Sequence, residues 1–329
     1  MIGDITEFTE GLSAEAHPVG ITAGPDGNVW FTAVGAIGRI TPEGEITEFR
    51  DGLSSGSRAI DIALGPDDNL WFTDPGGGRV GRITPDGEIT EFSEGIHPKR
   101  QPTGIVAGPD GNLWFTESRG AIGRITLDGK VTEFEEGIGR GNNLLGIDAG
   151  PDGNLWFAAQ CYGGWIGRIT LDGEVTRFSE GIRHDALPGA ITAGPDGNLW
   201  FTNLGRMHSA SMDLDNFPIG SGIGRITTDG EITEFTDGLS PMRRPPDIVP
   251  EGVVTGCGPS DIVSGRDGNV WFAEFHGDRI ASVAPDGTIT EYAEGITIDS
   301  RPDWLTIGAD GNVWFTEPVG NRIGRLELR

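Results

Sequence analysis

Carboxylate side chains recur at one position of a repeated sequence unit. The residue three positions after the Trp of each "WF" pair is acidic in four of seven copies, as Asp74, Glu117, Glu274 and Glu317. The segments that precede the "WF" pairs add Asp61, Asp148, Asp261 and Asp303. Carboxylates that crowd together either bind a hard cation or share protons with raised pKa values. The alternative is that they are solvated and paired with nearby Arg residues.

A histidine stands two residues after one of these acids. His276, in "WFAEFHGDRI", follows Glu274 in a segment that differs between copies. Histidine is the usual general base because its pKa lies near neutrality. We therefore take His276 as a candidate base, with a surface or structural role as the alternative. Comparable segments contain four further histidines, His17, His97, His184 and His208.

Basic residues are distributed unevenly within the copies. Of the 24 Lys and Arg residues, six belong to a repeated "IGR" triplet, which reads "VGR" in one copy, and are predicted to be structural. About half of the total lie in or beside the segments that vary, including Arg244 and Arg301. On so acidic a chain these residues either form a locally positive surface that attracts an anionic ligand or pair with nearby Asp and Glu.

The spacing of the "WF" pairs predicts the elements that hold these side chains. The seven Trp residues of these pairs are 41 to 44 residues apart, except for one gap of 71 that fits one period with two insertions. A period near 40, built from short β-type runs and Gly-Asp turns, is typical of a β-propeller with one blade per repeat. In the third copy the predicted strands are residues 104–108, 112–117, 121–126 and 130–134, and tight turns containing "DG" join them in pairs.

The two ends of the chain contain complementary parts of one repeat. The last copy stops after its third strand, and the chain begins with "GDITEF", which matches the fourth strand of other copies. Residues 1–9 are therefore predicted to supply the outer strand of the last blade, which removes an open sheet edge. We predict an all-β fold, a seven-bladed β-propeller of four-stranded blades that forms one domain over residues 1–329.

Variation among the copies is confined to two kinds of connection. The nearly constant "DG" turns belong to one face of the disc, and the connections between blades and between second and third strands belong to the other, the variable face. Two long insertions, residues 203–222 and 239–258, are neighbours on the variable face. They are predicted to form a lid or pocket wall at the channel mouth, where we expect a small-molecule ligand. The alternative is decoration without function.

Composition excludes several classes of partner. The net charge of −26 argues against nucleic acid and against an anionic membrane surface, and no run of 18 apolar residues is present to span a membrane. The N-terminal segment lacks the pattern of a signal peptide. We expect a monomer that is cytoplasmic, or secreted if a signal peptide has been removed. Cys161 and Cys257 either pair or remain free thiols.

The repeat "GPDGNLWFTE…IGRIT.DG.ITEF" resembles the virginiamycin B lyase family, the streptogramin B lyases, across all seven copies. The resemblance implies an enzyme that opens the ester of a cyclic depsipeptide antibiotic by elimination, with magnesium, a His base in a "P-H-G-I" motif and Glu ligands near the channel mouth. Glu317 matches the metal-binding Glu of the last blade. Arg301 stands where the family has another metal-binding Glu. The motif His is replaced in every copy, by Val19, Ile60, Thr103, Leu145, Gly189, Ser260 and Asp303.

Two functions are consistent with these observations. The first is a carbon–oxygen lyase that acts on an ester or an anionic small molecule through a metal or a relocated base. The candidate residues for that function are His276 and Asp303 for catalysis, Glu317 and Glu274 for magnesium, and Arg301, Arg244 and Glu117 for substrate. The second is a non-catalytic propeller that binds a ligand or a protein.

Overall fold

Antiparallel four-stranded sheets form a closed ring in the computed structural model of the protein, which describes residues 2–161, 163–209, 216–243 and 255–329. Seven such sheets occur in this part of the chain. The first strand of each sheet contacts the first strand of the next, and the last sheet contacts the first. The fold is therefore the predicted seven-bladed β-propeller. The described residues contain no helix long and apolar enough to cross a membrane.

The first four blades follow the repeats in order. Blade 1 consists of Ile21–Ala23, Val29–Ala33, Ala36–Ile40 and Ile46–Phe49. Blade 2 consists of Asp61–Leu64, Leu70–Asp74, Arg79–Ile83 and Ile89–Phe92. Blade 3 consists of Pro102–Ala107, Leu113–Glu117, Ala121–Ile125 and Val131–Phe134. Blade 4 consists of Asn143–Ala149, Leu155–Gln160, Trp165–Ile169 and Val175–Phe178.

The remaining blades contain the insertion and the closure. Blade 5 consists of Pro188–Ala193, Leu199–Asn203, Gly222–Ile226 and Ile232–Phe235. Blade 6 consists of Pro259–Ser264, Val270–Glu274, Arg279–Val283 and Ile289–Tyr292. Blade 7 consists of Leu305–Ile307, Val313–Glu317 and Arg322–Leu328, with Ile2–Phe8 as its outer strand. A two-stranded hairpin, Arg206–Ser209 with Asn216–Ile219, accounts for part of the first insertion. Residues 244–254 of the second lie outside the described residues.

The residues that are constant among the repeats pack inside each blade. In blade 3 the indole Nε1 of Trp114 donates a hydrogen bond to Asp110 of the preceding turn at 3.0 Å. The Trp114 ring is fully buried and stacks on Phe134 at 5.3 Å. Gly123 lies against the Phe115 ring so closely that a Cβ there would stand 2.0 Å from a ring carbon. The recurring Asp, Trp, Phe and Gly of the repeat are therefore explained by packing.

Other constant residues join one blade to the next. The guanidinium of Arg124, from an "IGR" triplet, lies 5.4 Å from the Trp114 ring centroid and donates to the Leu171 carbonyl of blade 4 at 3.2 Å. The five "IGR" arginines and Arg82 of the "VGR" triplet all make such a bond, which confirms their structural role. Across the closure, the Thr316 hydroxyl donates to the Val19 carbonyl of blade 1 at 2.7 Å. Phe8 of the N-terminal strand stacks on Trp314 at 5.6 Å.

Candidate functional site

The first strands of the blades surround a central cavity of about 380 Å³. Its wall is largely apolar and includes Ile60, Ile105, Leu145 and Trp304. Four carboxyl groups also border it, those of Asp61, Asp148, Asp261 and Asp303. These residues come from blades 2, 4, 6 and 7, so the ring brings together acids that lie far apart in the sequence.

Three of these carboxyl groups tie neighbouring first strands together. Asp61 accepts from the backbone N–H of Ile105 at 2.7 Å, and Asp148 accepts from that of Ala193 at 2.8 Å. Asp261 accepts from the backbone N–H of Leu305 at 3.0 Å in the same way. Each bond links one blade to the next, a role that the sequence pattern does not predict.

Burial raises the pKa of all three of these carboxyl groups. It raises the pKa of Asp61 to about 8 and that of Asp261 to about 7, and it also raises the pKa of Asp148. Their exposed surface is that which borders the cavity, while protein encloses them on the other sides. At pH 7 the Asp61 carboxyl group is therefore mostly neutral and that of Asp261 is only partly ionised, so the cavity carries less negative charge than its composition suggests.

Asp303 differs from these three in position and in partners. It lies where the chain enters blade 7 from the variable face, and its backbone N–H donates to the Thr316 carbonyl at 2.9 Å. The Ser260 hydroxyl of blade 6 donates to the Asp303 backbone carbonyl at 2.7 Å and also lies beside the carboxyl group. Burial raises the pKa of Asp303 to about 6, and the Ser260 hydroxyl opposes that rise. Its carboxyl group therefore titrates near neutrality, as a general base requires.

Arg301 and His276 form a small cluster on the variable face between blades 6 and 7. The Arg301 guanidinium lies 5.4 Å from the centroid of the Phe275 ring, and the His276 ring meets the same ring edge-on at 5.1 Å. Asp278 holds the Arg301 backbone N–H at 3.0 Å, with Arg301 at a φ of 57°. Burial, with the nearby Arg301 charge, lowers the pKa of His276 to about 4. A neutral imidazole with so low a pKa is a weak base, and the catalytic role of His276 stays a prediction.

The three predicted Glu residues lie inside the blades, beside arginine or serine partners. Glu117, Glu274 and Glu317 end the second strands of blades 3, 6 and 7 and are fully buried. Glu274 pairs with Arg279 at 3.0 Å, and Glu117 lies 3.8 Å from Arg100. Glu317 accepts a hydrogen bond from the Ser300 hydroxyl. None of the three borders the central cavity.

Each of these buried acids faces a second acid on the fourth strand of its own blade. The pairs are Glu117 with Glu133, Glu274 with Glu291 and Glu317 with Glu7. Burial first, with the neighbouring carboxylate among the further causes, raises the pKa of each inner Glu to about 8. The pairs therefore match proton sharing, one of the two outcomes expected for crowded carboxylates.

Blade 5 shows what a protonated inner Glu does. Its equivalent residue is Asn203, whose Nδ2 donates to Glu234 on the fourth strand at 2.9 Å. An amide N–H and a carboxylic O–H are both donors to a carboxylate. Asn203 carries no charge at any pH, and a protonated Glu at the same position in blades 3, 6 or 7 could donate to its fourth-strand partner in the same way. The predicted roles of these Glu residues toward metal or substrate stay predictions.

In the described part of the chain, six arginines at or beside the variable loops are paired with fourth-strand acids. Arg79 meets Glu91 at 2.6 Å, and Arg100 meets Glu133 at 2.8 Å. The same arrangement recurs in blades 1, 5, 6 and 7. Pairing, the alternative to a uniformly positive mouth, therefore accounts for these arginines. Arg301 has no carboxylate at ion-pair distance among the described residues, and Arg244 lies outside them.

The fourth-strand Glu residues and Ser260 were not predicted as neighbours of the candidate site residues. The Glu of "ITEF" was visible in six outer-strand segments, but its partner becomes apparent only from the strand register. In blade 3, Glu117 pairs with Ala121 and Glu133 with Gly123, so the two acids flank the start of the third strand. Ser260 appeared in the sequence only as a replacement for a motif His.

The residues present do not match a magnesium site of the kind the resemblance implies. Mg²⁺ prefers carboxylate and water oxygens in octahedral geometry. Arg301 brings a positive charge to one implied ligand position, and Glu317 is held by Ser300 inside the blade. No group of three or more His, Cys, Asp and Glu side chains that could hold a metal ion occurs in the described part of the chain.

Both cysteines, Cys161 and Cys257, are free thiols.

Comparison with known proteins identifies the family. The virginiamycin B lyase family model matches residues 96–235 and 220–329. The solved structure of a streptogramin B lyase superposes with a TM-score of 0.81 at 31% identity, covering 99% of this chain and 97% of that one. Virginiamycin B lyase from Staphylococcus aureus gives a TM-score of 0.81 at 32% identity, with 99% of both chains covered.

A third solved structure contains a bound ligand. It is a catalytically inactive variant of the Staphylococcus aureus enzyme, with one His replaced by Ala, in complex with quinupristin, and it gives a TM-score of 0.80 at 32% identity over 99% of both chains. Among curated proteins, none matches this chain. The family model and the two lyase structures agree over most of the sequence and nearly all of the fold. The chain belongs to the virginiamycin B lyase family.

Proposed function

We propose that the protein binds a small molecule whose apolar part enters the central cavity from the variable face. The observation that carries this proposal is the cavity of about 380 Å³, which is mostly apolar and bordered by a few carboxyl groups. Ligand sites in proteins are commonly concave, apolar and equipped with a small number of polar groups. The opposite face of the ring consists of repeated tight turns and supplies no comparable variety of side chains.

The charges near the mouth favour a ligand with an anionic group. Arg301 is exposed and lies two residues before Asp303, which borders the cavity. A guanidinium that lacks a carboxylate partner is free to bind a carboxylate or a similar group on the ligand. The ligand class is therefore an apolar body with one anionic substituent, or an ester that yields such a group.

A binding experiment with 1-anilinonaphthalene-8-sulfonate tests this proposal, because that probe is apolar and anionic. We expect saturable binding that Ala190→Leu abolishes, since Ala190 borders the cavity and a larger side chain would fill it. Ala14→Leu makes the same change at an exposed position on the variable face and should leave binding intact. Binding that is equal in wild type and Ala190→Leu would contradict the proposal.

Arg301 provides a second test of the same site. Arg301→Ala should weaken probe binding by about tenfold, the effect of one charge-assisted hydrogen bond. Arg266→Ala, which removes an exposed charge on the opposite face, is the matched control. Equal losses in the two variants would show that net charge, rather than the mouth, governs binding.

A second candidate function, carbon–oxygen elimination, is favoured by the position and the pKa of Asp303. Asp303 stands where the last copy of the family motif has His, and its pKa of about 6 leaves it largely ionised at neutral pH. The Asp303 carboxylate would remove a proton from the carbon next to a carbonyl. The electron pair of that C–H bond would form a C=C bond while the C–O bond breaks and a carboxylate leaves. Asp303 would then release the proton to water.

Incubation with quinupristin, followed by detection of the linear product, tests this second function. If Asp303 is the base, product should form with and without magnesium, and its rate should rise with pH through a midpoint near 6. Asp303→Asn should abolish that product, while Asp148→Asn, deeper in the cavity, should still bind the probe and form product. Absence of product from the wild type would rule out elimination of this substrate and leave the binding proposal intact.

A further inference from the structure

A second concave site lies on the variable face between blades 2 and 3. This groove has a volume of about 540 Å³ and is lined by the glycines at 76–78, by Pro98 and by the basic residues Lys99, Arg100 and Arg119. It shares no lining residue with the central cavity. We call it the basic groove, and it is independent of the ligand proposed above.

The basic groove is lined by three cationic side chains, although the protein as a whole has a net charge of −26. Arg100 is held by Glu133 at 2.8 Å, by Glu135 at 2.8 Å and by Glu117 at 3.8 Å, so its guanidinium is fixed in place. Lys99 and Arg119 are exposed, and neither has a carboxylate at ion-pair distance among the described residues. The groove therefore combines one compensated cation with two that are available to a ligand.

The walls of the groove allow a ligand to approach the backbone. The glycines at 76–78 present no side chain, and a Cβ at Gly77 would stand 2.1 Å from Nε of Arg79, so a side chain there would displace the Arg79 guanidinium. Ser93 and Gln101 add neutral polar groups to the same lining. An anion in this space would meet an ammonium and a guanidinium from two different loops, the combination that proteins use for phosphate and carboxylate recognition.

We propose that the basic groove is a second binding site for a small anion carrying phosphate or carboxylate groups. Lys99 and Arg119 supply the charge, and the anchored Arg100 with the glycine wall sets the shape. The placement on the variable face, beside but separate from the channel mouth, permits both sites to be occupied together.

Calorimetric titration with inorganic phosphate and with citrate at low ionic strength tests the proposal. At least one of these probes should bind saturably, and the double variant Lys99→Ala/Arg119→Ala should weaken that binding at least tenfold. The double variant Lys130→Ala/Arg266→Ala removes the same charge from exposed positions on the opposite face and should bind as the wild type does.

Three results would overturn the proposal. They are the absence of saturable binding for both probes, equal losses in the two double variants, and retention of full binding by Lys99→Ala/Arg119→Ala. Ala190→Leu separates this site from the central cavity, because it should leave phosphate or citrate binding unchanged. Loss of anion binding in Ala190→Leu would place the anion in the cavity and would also contradict the proposal.

Discussion

The free energy of unfolding of Glu117→Gln, measured relative to the wild type, should be larger at neutral pH than at pH 5. Burial raises the pKa of Glu117 to about 8, whereas in the unfolded chain its pKa lies near the ordinary value of 4.5. The group therefore contributes its full stability below about pH 4.5, and that contribution is lost as pH rises toward 8, because the unfolded state ionises first. Gln keeps a donor toward Glu133 and has no proton to lose, as Asn203 shows in blade 5.

The magnitude follows from the slope of linkage. One group that is protonated when folded and ionised when unfolded changes the free energy of unfolding by about 1.4 kcal/mol per pH unit. Between pH 5 and pH 7 the difference between Glu117→Gln and wild type should therefore change by up to about 3 kcal/mol in favour of the variant.

Equilibrium unfolding in urea at pH 5, 6, 7 and 8 measures this difference. Glu45→Gln changes an exposed Glu and should follow the wild type at every pH. If Glu117 were instead a carboxylate held ionised by Arg100, the difference between Glu117→Gln and the wild type would stay constant from pH 5 to pH 8, because the group would be ionised in both the folded and the unfolded state. A constant difference, or a slope of the opposite sign, would refute proton sharing by Glu117.

Three further predictions concern the ring itself. Deletion of the strand Ile2–Phe8 should lower Tm by at least about 5 °C in calorimetry, because blade 7 loses its outer strand; an unchanged Tm would argue against its role in closure. Thr316→Val should lower the free energy of unfolding in urea by about 1 kcal/mol, because the hydrogen bond to the Val19 carbonyl is lost, and an unchanged free energy would count against that bond. Native protein should react with a thiol reagent at Cys161 while buried Cys257 stays protected until unfolding, and equal rates would contradict the burial.

Much of the fold could be predicted because its signals are local and repeated. The period of the "WF" pairs, the "DG" turns and the split repeat at the two ends each depend on residues close together in sequence. In blade 3 the predicted strand at 121–126 differs from Ala121–Ile125 by one residue, and the predicted strand at 104–108 begins two residues after Pro102.

The position of the candidate site was harder to predict, for a physical reason. Acids on second strands appeared to converge on the channel, yet sheet faces in this ring pack against neighbouring sheets, so Glu117 and Glu317 lie inside blades. The cavity is lined by the first strands, and Asp303 borders it. The ion-pair partners of the loop arginines depend on strand register and on contacts between blades, and no short sequence window contains this information.

A crystal structure of the protein soaked with 1-anilinonaphthalene-8-sulfonate would test the central claim most directly. We expect density for the probe in the central cavity beside Trp304, with its sulfonate toward Arg301 at the variable face. Density confined to the "DG" turn face, or an empty cavity with the probe bound elsewhere, would contradict it.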